Sequence, residues 1–379
     1  MRTPIYLDYN ATTPVDPAVV DAMEPYLRDH FGNPSSDHAY GYRTRSAVQT
    51  AREQLAALLG AAPEEVIFTG SGSEANNLAI KGVAYALRER GKHIITSAVE
   101  HPAIAEPLRF LEQQGYRVTT LPVDTDGRID PAQVAAAITA QTILVTIMHA
   151  NNEVGTIQPI RAIADVAHAR GVLVHTDAAQ TVGKIPIELL ALGVDLMTIA
   201  GHKYYGPKGI GALIVRRGVA LEPLIHGAGH EGGRRAGTEN VPYVVGLGCA
   251  AALAQERIPI YQERVRALRD RLHQRILERI PSAILNGHPI ERLPNTLNLS
   301  FPGVNAGDLL AAIRDQVACS TGSACHAGQA EPSSVLLAMG RDAGLAAAAL
   351  RLSLGWGTTE QEVQRAAAVI GDAVRSSNR

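Results

Sequence analysis

The first half of the chain repeats one unit, and that repetition leaves few folds open. A short apolar run leads into a polar cluster and then a helical stretch. The apolar runs cover residues 66–69, 94–97, 143–148, 172–176 and 194–200. Each is strand-length and aliphatic or β-branched, as suits strands buried on both faces. Helix-like segments at 74–90, 103–114, 131–140 and 160–170 separate them. This alternation predicts an α/β layer on a mostly parallel sheet. A sixth run, 209–216, follows the fifth so closely that antiparallel pairing is expected. Residues 227–237, rich in glycine and arginine, read as a loop, and 259–280 as a long amphipathic bridging helix. From about residue 286 the pattern becomes a smaller α+β unit. It has strands at 296–300 and 350–354, and helices at 306–314, 333–339 and 359–374. The alanine run 346–349 fits a helix. The expected division is a large domain over 16–258 and a small one formed by 1–15 with 259–379.

Composition narrows the function. A net charge of −2 gives no basic footprint for nucleic acid. No apolar run approaches the roughly 18 residues of a membrane span, and the N-terminus has no signal-peptide core. Three cysteines, Cys249, Cys319 and Cys325, are too few for a disulfide framework at this length, so a reducing, cytoplasmic location is expected. Of 35 basic residues only five are lysines: Lys81, Lys92, Lys184, Lys203 and Lys208.

In open parallel sheets, ligands bind beyond the carboxyl ends of the strands. After the first run comes Gly70-Ser71-Gly72-Ser73-Glu74-Ala75, a phosphate cradle or simply a capped turn. The later runs are followed by Glu100-His101, His149-Ala150-Asn151-Asn152-Glu153, Asp177-Ala178-Ala179-Gln180 and Gly201-His202-Lys203. Singly, each has an ordinary reading as a turn or helix cap. Together they put an anion site, an imidazole, an amide, a carboxylate and a lysine on one sheet edge. Those are the needs of pyridoxal phosphate: a Schiff-base lysine, an acid for the ring nitrogen and a phosphate site. Of the five lysines only Lys203 directly follows an apolar strand at that edge. Lys81 and Lys92 lie on or after a helix, Lys184 precedes a proline-containing segment, and Lys208 sits in a turn.

Residues 318–328 form a small, glycine-rich stretch that places Cys325 beside His326. Thiol nucleophilicity depends on access and thiolate formation, which favours Cys325. Cys249 reads as a small helix-packing residue and Cys319 as structural; their spacing suits no metal site. Arg351, in an otherwise apolar strand, needs a carboxylate, either a substrate's or an internal partner's.

The chain resembles the cysteine desulfurases of the nitrogen-fixation and iron–sulfur-cluster-assembly type, within the class V aminotransferase group. The matching stretches are Tyr6–Pro14, Phe31–Ser36, Glu100-His101, His149–Gly155, His175–Gln180, Gly201–Gly209, Arg235–Asn240, Gly322–Cys325 and Arg351–Gly355. The resemblance implies a type I pyridoxal-phosphate-dependent transferase fold, a homodimer, and conversion of L-cysteine to L-alanine. The sulfur would pass through an enzyme persulfide to an acceptor for iron–sulfur clusters or tRNA thiolation. By motif, Lys203 is similar to the Schiff-base lysine, Asp177 to the pyridine-nitrogen partner and His101 to the ring-stacking residue that also handles the substrate thiol proton. Asn152 and Gln180 match residues near the substrate carboxylate and the cofactor O3′. Gly72, Ser73 and His202 match the phosphate site, and Thr238 a residue reaching the partner subunit's phosphate. Cys325 matches the persulfide carrier and Arg351 the substrate-carboxylate clamp. The chain departs from the pattern at Ala200, Ser73, Gly232 and Trp356, where serine, threonine, arginine and arginine are usual. Ala200 and the Cys325-His326 pair are also similar to selenocysteine lyases. A scaffold for sulfur transfer without catalysis is the alternative of another class.

Overall fold

The computed structural model describes residues 3–321 and 332–377. Within them, the strands in chain order are β1 (Ile5–Tyr6), β2 (Val66–Thr69), β3 (His93–Ser97), β4 (Arg117–Leu121), β5 (Thr142–Thr146) and β6 (Leu173–Asp177). They continue as β7 (Leu196–Ala200), β8 (Gly211–Val215), β9 (Ile284–Asn286), β10 (Thr296–Ser300), β11 (Val317–Ala318) and β12 (Ala349–Ser353). Seven of them form one sheet in the order β2-β8-β7-β6-β5-β3-β4. Its pairings from β4 to β7 are parallel, while β8 runs antiparallel to both β7 and β2. The sixth apolar run therefore pairs as expected. Six strands point the same way, and their carboxyl ends gather along one edge.

The sheet alternates faces with a period of two. Val66 and Phe68 join Ile95, Val145 and Ile214 in one apolar core. Ile67 points the other way and packs with Ile94, Leu144, Leu213 and the helix Gly72–Ala86. The sequence pattern did not mark β4, whose Arg-Val-Thr-Thr-Leu sequence is largely polar. It lies at the sheet edge with most of its side chains at least partly exposed, so no apolar run identifies it.

The bridging helix is longer than expected, Val241–Arg279, with Pro259 inside it. Glycine lowers helix propensity, so residues 241–258 read poorly as helix. Here the glycines serve close packing: a Cβ at Gly248 would lie 2.5 Å from Ala51 Cα. Pro259 forfeits a backbone hydrogen bond. Continuity is maintained because the two halves bury in different cores. Val244, Leu247 and Ala251 pack under the large sheet. Tyr261, Val265, Leu272 and Ile276 pack with Leu297, Leu299, Leu350, Leu352 and the N-terminal Ile5 and Leu7. There β10 pairs antiparallel with β9 and β12, and β1 parallel with β11. The alanine run divides: helix Ala343–Ala347 stops and β12 begins at Ala349. In the glycine–arginine loop, Glu231 holds a positive φ of 50°. Its buried carboxylate accepts Arg52 at 2.8 and 2.9 Å and the Phe68 N–H at 3.0 Å.

Candidate active site

At the end of β2, Ser71 caps the helix Gly72–Ala86, its hydroxyl accepting the Glu74 N–H at 3.1 Å. First-turn N–H groups have no partner within their helix and favour an anion. Gly72 permits a close approach here, because a Cβ on it would lie 3.0 Å from Ala200 Cβ. Ser73 is exposed at the rim.

At the end of β6, the Asp177 carboxylate is buried. One oxygen accepts Asn76 Nδ2 at 2.7 Å and the other the Ala179 N–H at 2.9 Å. Sequence reasoning missed Asn76; its signal is a polar residue on the inward face of a helix, 1% exposed. Beyond β7, Lys203 Nζ donates to the carbonyls of Asn10 at 2.7 Å and Ala11 at 2.8 Å. His202 Nδ1 lies 3.1 Å from Thr12 Oγ1. Burial, reinforced by Lys203, Lys208 and Lys184, pushes its imidazole down to about 4.

Beyond β3, His101 caps the helix Pro102–Glu112: its Nδ1 accepts the Ala103 N–H at 3.0 Å. Burial lowers its pKa, Asp177 opposes that shift and Lys203 adds to it. With Nδ1 accepting, a neutral ring carries its proton on Nε2. The neighbouring Glu100 accepts Ser97 Oγ at 2.5 Å and the Met148 N–H at 3.0 and 3.1 Å. Burial pushes this carboxyl up to about 8.

Gly72, Ser73, His101, Asn152, Asp177, Gln180, His202 and Lys203 all line one cavity. Two other expected residues among those described do not. Thr238 is exposed and outside the lining. Arg351, 3% exposed on β12, is held by Asp8 at 2.7 Å and by the Asn152 carbonyl at 3.2 Å. The internal partner is therefore the one observed, although Arg351 Nε remains buried without a hydrogen bond. Cys325 lies outside the described residues. Burial raises the thiols of the other two cysteines, Cys319 to about 12.

Sequence reasoning also missed Asn10, 1% exposed, although its motif was noted. Its side chain bonds Asn152 O, Thr296 Oγ1, Asn295 Nδ2 and Lys184 Nζ, while its carbonyl receives Lys203 and Gln180. The donor set suits pyridoxal phosphate: an amine, a buried carboxylate and an uncovered helix start share one cavity. Asn76 Oδ1 is also buried and unpartnered.

A lysine and a buried acid at the strand ends, with a glycine-opened helix start between them, define a class, and the chain belongs to the class-V aminotransferase family, whose model matches residues 5–366. Within it the chain sits with the cysteine desulfurases. It is 48% identical to the cysteine desulfurase IscS of Dictyoglomus turgidum, over 96% of this chain and 92% of the relative. Against the cysteine desulfurase of Mus musculus the identity is 48%, over 95% and 79%. The fold is similar to a solved NifS-like protein with TM-score 0.93 and 36% identity, covering 98% and 100% of the two chains. A second solved structure, SspA in complex with cysteine, matches with TM-score 0.81 and 40% identity over 92% and 98%. The architecture is thus the type I fold of pyridoxal-phosphate enzymes.

Proposed function

We propose that this protein converts L-cysteine to L-alanine and passes the sulfur to a cysteine of its own. The observation that carries the reading is the meeting of Lys203, Asp177 and His101 in one cavity. Pyridoxal 5′-phosphate would be held by Lys203 Nζ, by Asp177 at the ring nitrogen, and by the helix start at Gly72 and Ser73 with His202 at the phosphate. When bound, the cofactor supplies an electron sink for the carbanion at the substrate Cα.

Lys203 Nζ, once released, removes the Cα proton. The Asp177 carboxylate would face the ring nitrogen, with its two oxygens fixed by Asn76 and the Ala179 N–H. His101 is committed at Nδ1, so it would meet the substrate sulfur as an N–H donor at Nε2 and orient it. This differs from direct abstraction of the thiol proton. The substrate carboxylate is taken by Arg351, whose unpaired Nε supports the role, and by Asn152. The Cys325 thiolate would attack the substrate sulfur: an S–S bond forms, the C–S bond breaks with its electron pair left on the substrate carbon, and a proton taken up there completes alanine.

We further propose a homodimer, which exposed Thr238 supports as a residue serving a second copy. The two apolar cores support a division into 16–258 and 1–15 with 259–379. The persulfide then requires a protein acceptor and a reducing, cytoplasmic setting. No helix among the described residues is long and apolar enough to cross a membrane.

The test is an absorbance spectrum of the purified protein with pyridoxal 5′-phosphate, before and after L-cysteine, with alanine measured. A visible band that changes on addition, with stoichiometric alanine, is expected. Lys203→Ala should lose the band and Cys325→Ser the sulfur transfer. A colourless protein that cannot be reconstituted would leave a scaffold. A higher kcat/KM for L-selenocysteine would instead assign a lyase.

A further inference from the structure

Lys184 is one of five lysines, 2% exposed, and has no part in the chemistry above. Its amine lies 2.8 Å from Gln180 Oε1, four residues back, and 3.2 Å from Asn10 Oδ1. Burial lowers its pKa well below the ordinary lysine value, and the facing charges, Lys203 and Arg351, push the same way. A lysine here is unfavourable on solvation grounds, since burying an amine costs stability unless its bonds repay it.

Both of its contacts are amide oxygens. In these contacts Lys184 Nζ is the donor, so the oxygen end of each amide must face it. That settles an orientation an amide could otherwise reverse. Gln180 lines the cavity. With Oε1 turned to Lys184, its Nε2 is the remaining pole, and the Asn10 carbonyl at 3.0 Å takes one of its two N–H donors. Asn10 is set in the same way: its Oδ1 receives Lys184 and Asn295, so its Nδ2 turns to Asn152 O and Thr296 Oγ1.

We propose that Lys184 is a positioning residue: it fixes the polarity of the Gln180 and Asn10 amides, so that Gln180 offers the cavity an N–H donor. The ligand group matched by that donor is an anionic oxygen on the cofactor ring. The inference rests on the proposed function, because it needs the cofactor in this cavity.

The probe is pyridoxal 5′-phosphate titrated into apoprotein, with dissociation constant and absorbance followed across pH. Wild-type protein that binds no cofactor would defeat the proposed function itself. Given wild-type binding, Lys184→Met removes the donor at similar length. It should weaken binding about threefold to tenfold, the worth of one hydrogen bond, and shift the pH midpoint of the visible band. In a Gln180→Leu background the same substitution should add little, because its action passes through Gln180. Wild-type affinity and midpoint in Lys184→Met would overturn the proposal. So would an equal loss in both backgrounds, which marks a purely structural lysine. If Lys184→Met does not fold, Lys184→Arg, which keeps only donors, should hold the wild-type midpoint and Lys184→Gln should move it. The reverse order overturns the proposal.

Discussion

Asp8→Asn separates the two roles available to Arg351. In the structure the guanidinium is 3% exposed and bonded to Asp8 at 2.7 Å. At an effective dielectric of about 20, such a pair attracts with roughly 4 kcal/mol before desolvation is counted. Asp8 is 21% exposed, so the cost of removing it falls between the ~0–1 kcal/mol of an exposed pair and the ~3–5 kcal/mol of a buried one; asparagine keeps an acceptor, so a loss of about 1–2 kcal/mol in unfolding free energy is expected. Substrate binding should move the other way. A cysteine carboxylate arriving at Arg351 meets the Asp8 charge across the guanidinium, a repulsion of about 2 kcal/mol at a dielectric intermediate between protein and water. Its removal should lower the dissociation constant for L-cysteine roughly 30-fold. The assay pairs urea unfolding with a spectral titration of the holoprotein by L-cysteine. Lower stability together with unchanged or weaker substrate binding would refute the clamp and leave Arg351 a structural ion pair.

Ala200→Ser restores a hydroxyl at the cavity wall beside Gly72; cofactor dissociation should fall about twofold to tenfold, and no change would place position 200 away from the phosphate. Glu100, folded near 8 against an ordinary value near 4.5, binds its proton more tightly when folded. Above about pH 6.5, where the buried histidines are neutral in both states, stability should therefore fall as pH rises toward 8, at up to about 1.4 kcal/mol per pH unit; Glu100→Gln should flatten that slope. His149 and His202 near 4 and His175 near 3 have the opposite sign, because the unfolded chain takes the protons first. Denaturant midpoints should drop as pH falls below about 6.5, and a flat profile between 6.5 and 4 would refute neutral burial.

Much of the α/β layer was legible because buried parallel strands are apolar on both faces. β4 escaped because an edge strand need not be apolar, and residues 241–258 because glycine there serves packing between helices. In the site, residues that directly follow strands were legible: His101, Asp177 and Lys203 all meet at the cavity. Those acting from elsewhere were not. Lys184 precedes a proline-containing segment, which marks it as no site residue, yet it is buried with its amine 2.8 Å from Gln180. Asp8 and Asn10 lie hundreds of positions from the partners that explain them, and no local pattern carries such a distance.

Asn10 also sets the order in which the protein can be completed. Chains are synthesised from the N-terminus, so this residue emerges before any of its partners. Lys203 is 193 positions away, Asn295 285 and Ser353 343. A growing chain of 300 residues already contains every cavity-lining side chain, yet β12, which supplies Ser353, has not been made. The carbonyl that receives the Lys203 amine thus lacks its final anchor until synthesis is nearly finished, and the lysine is not fully seated on a half-made protein.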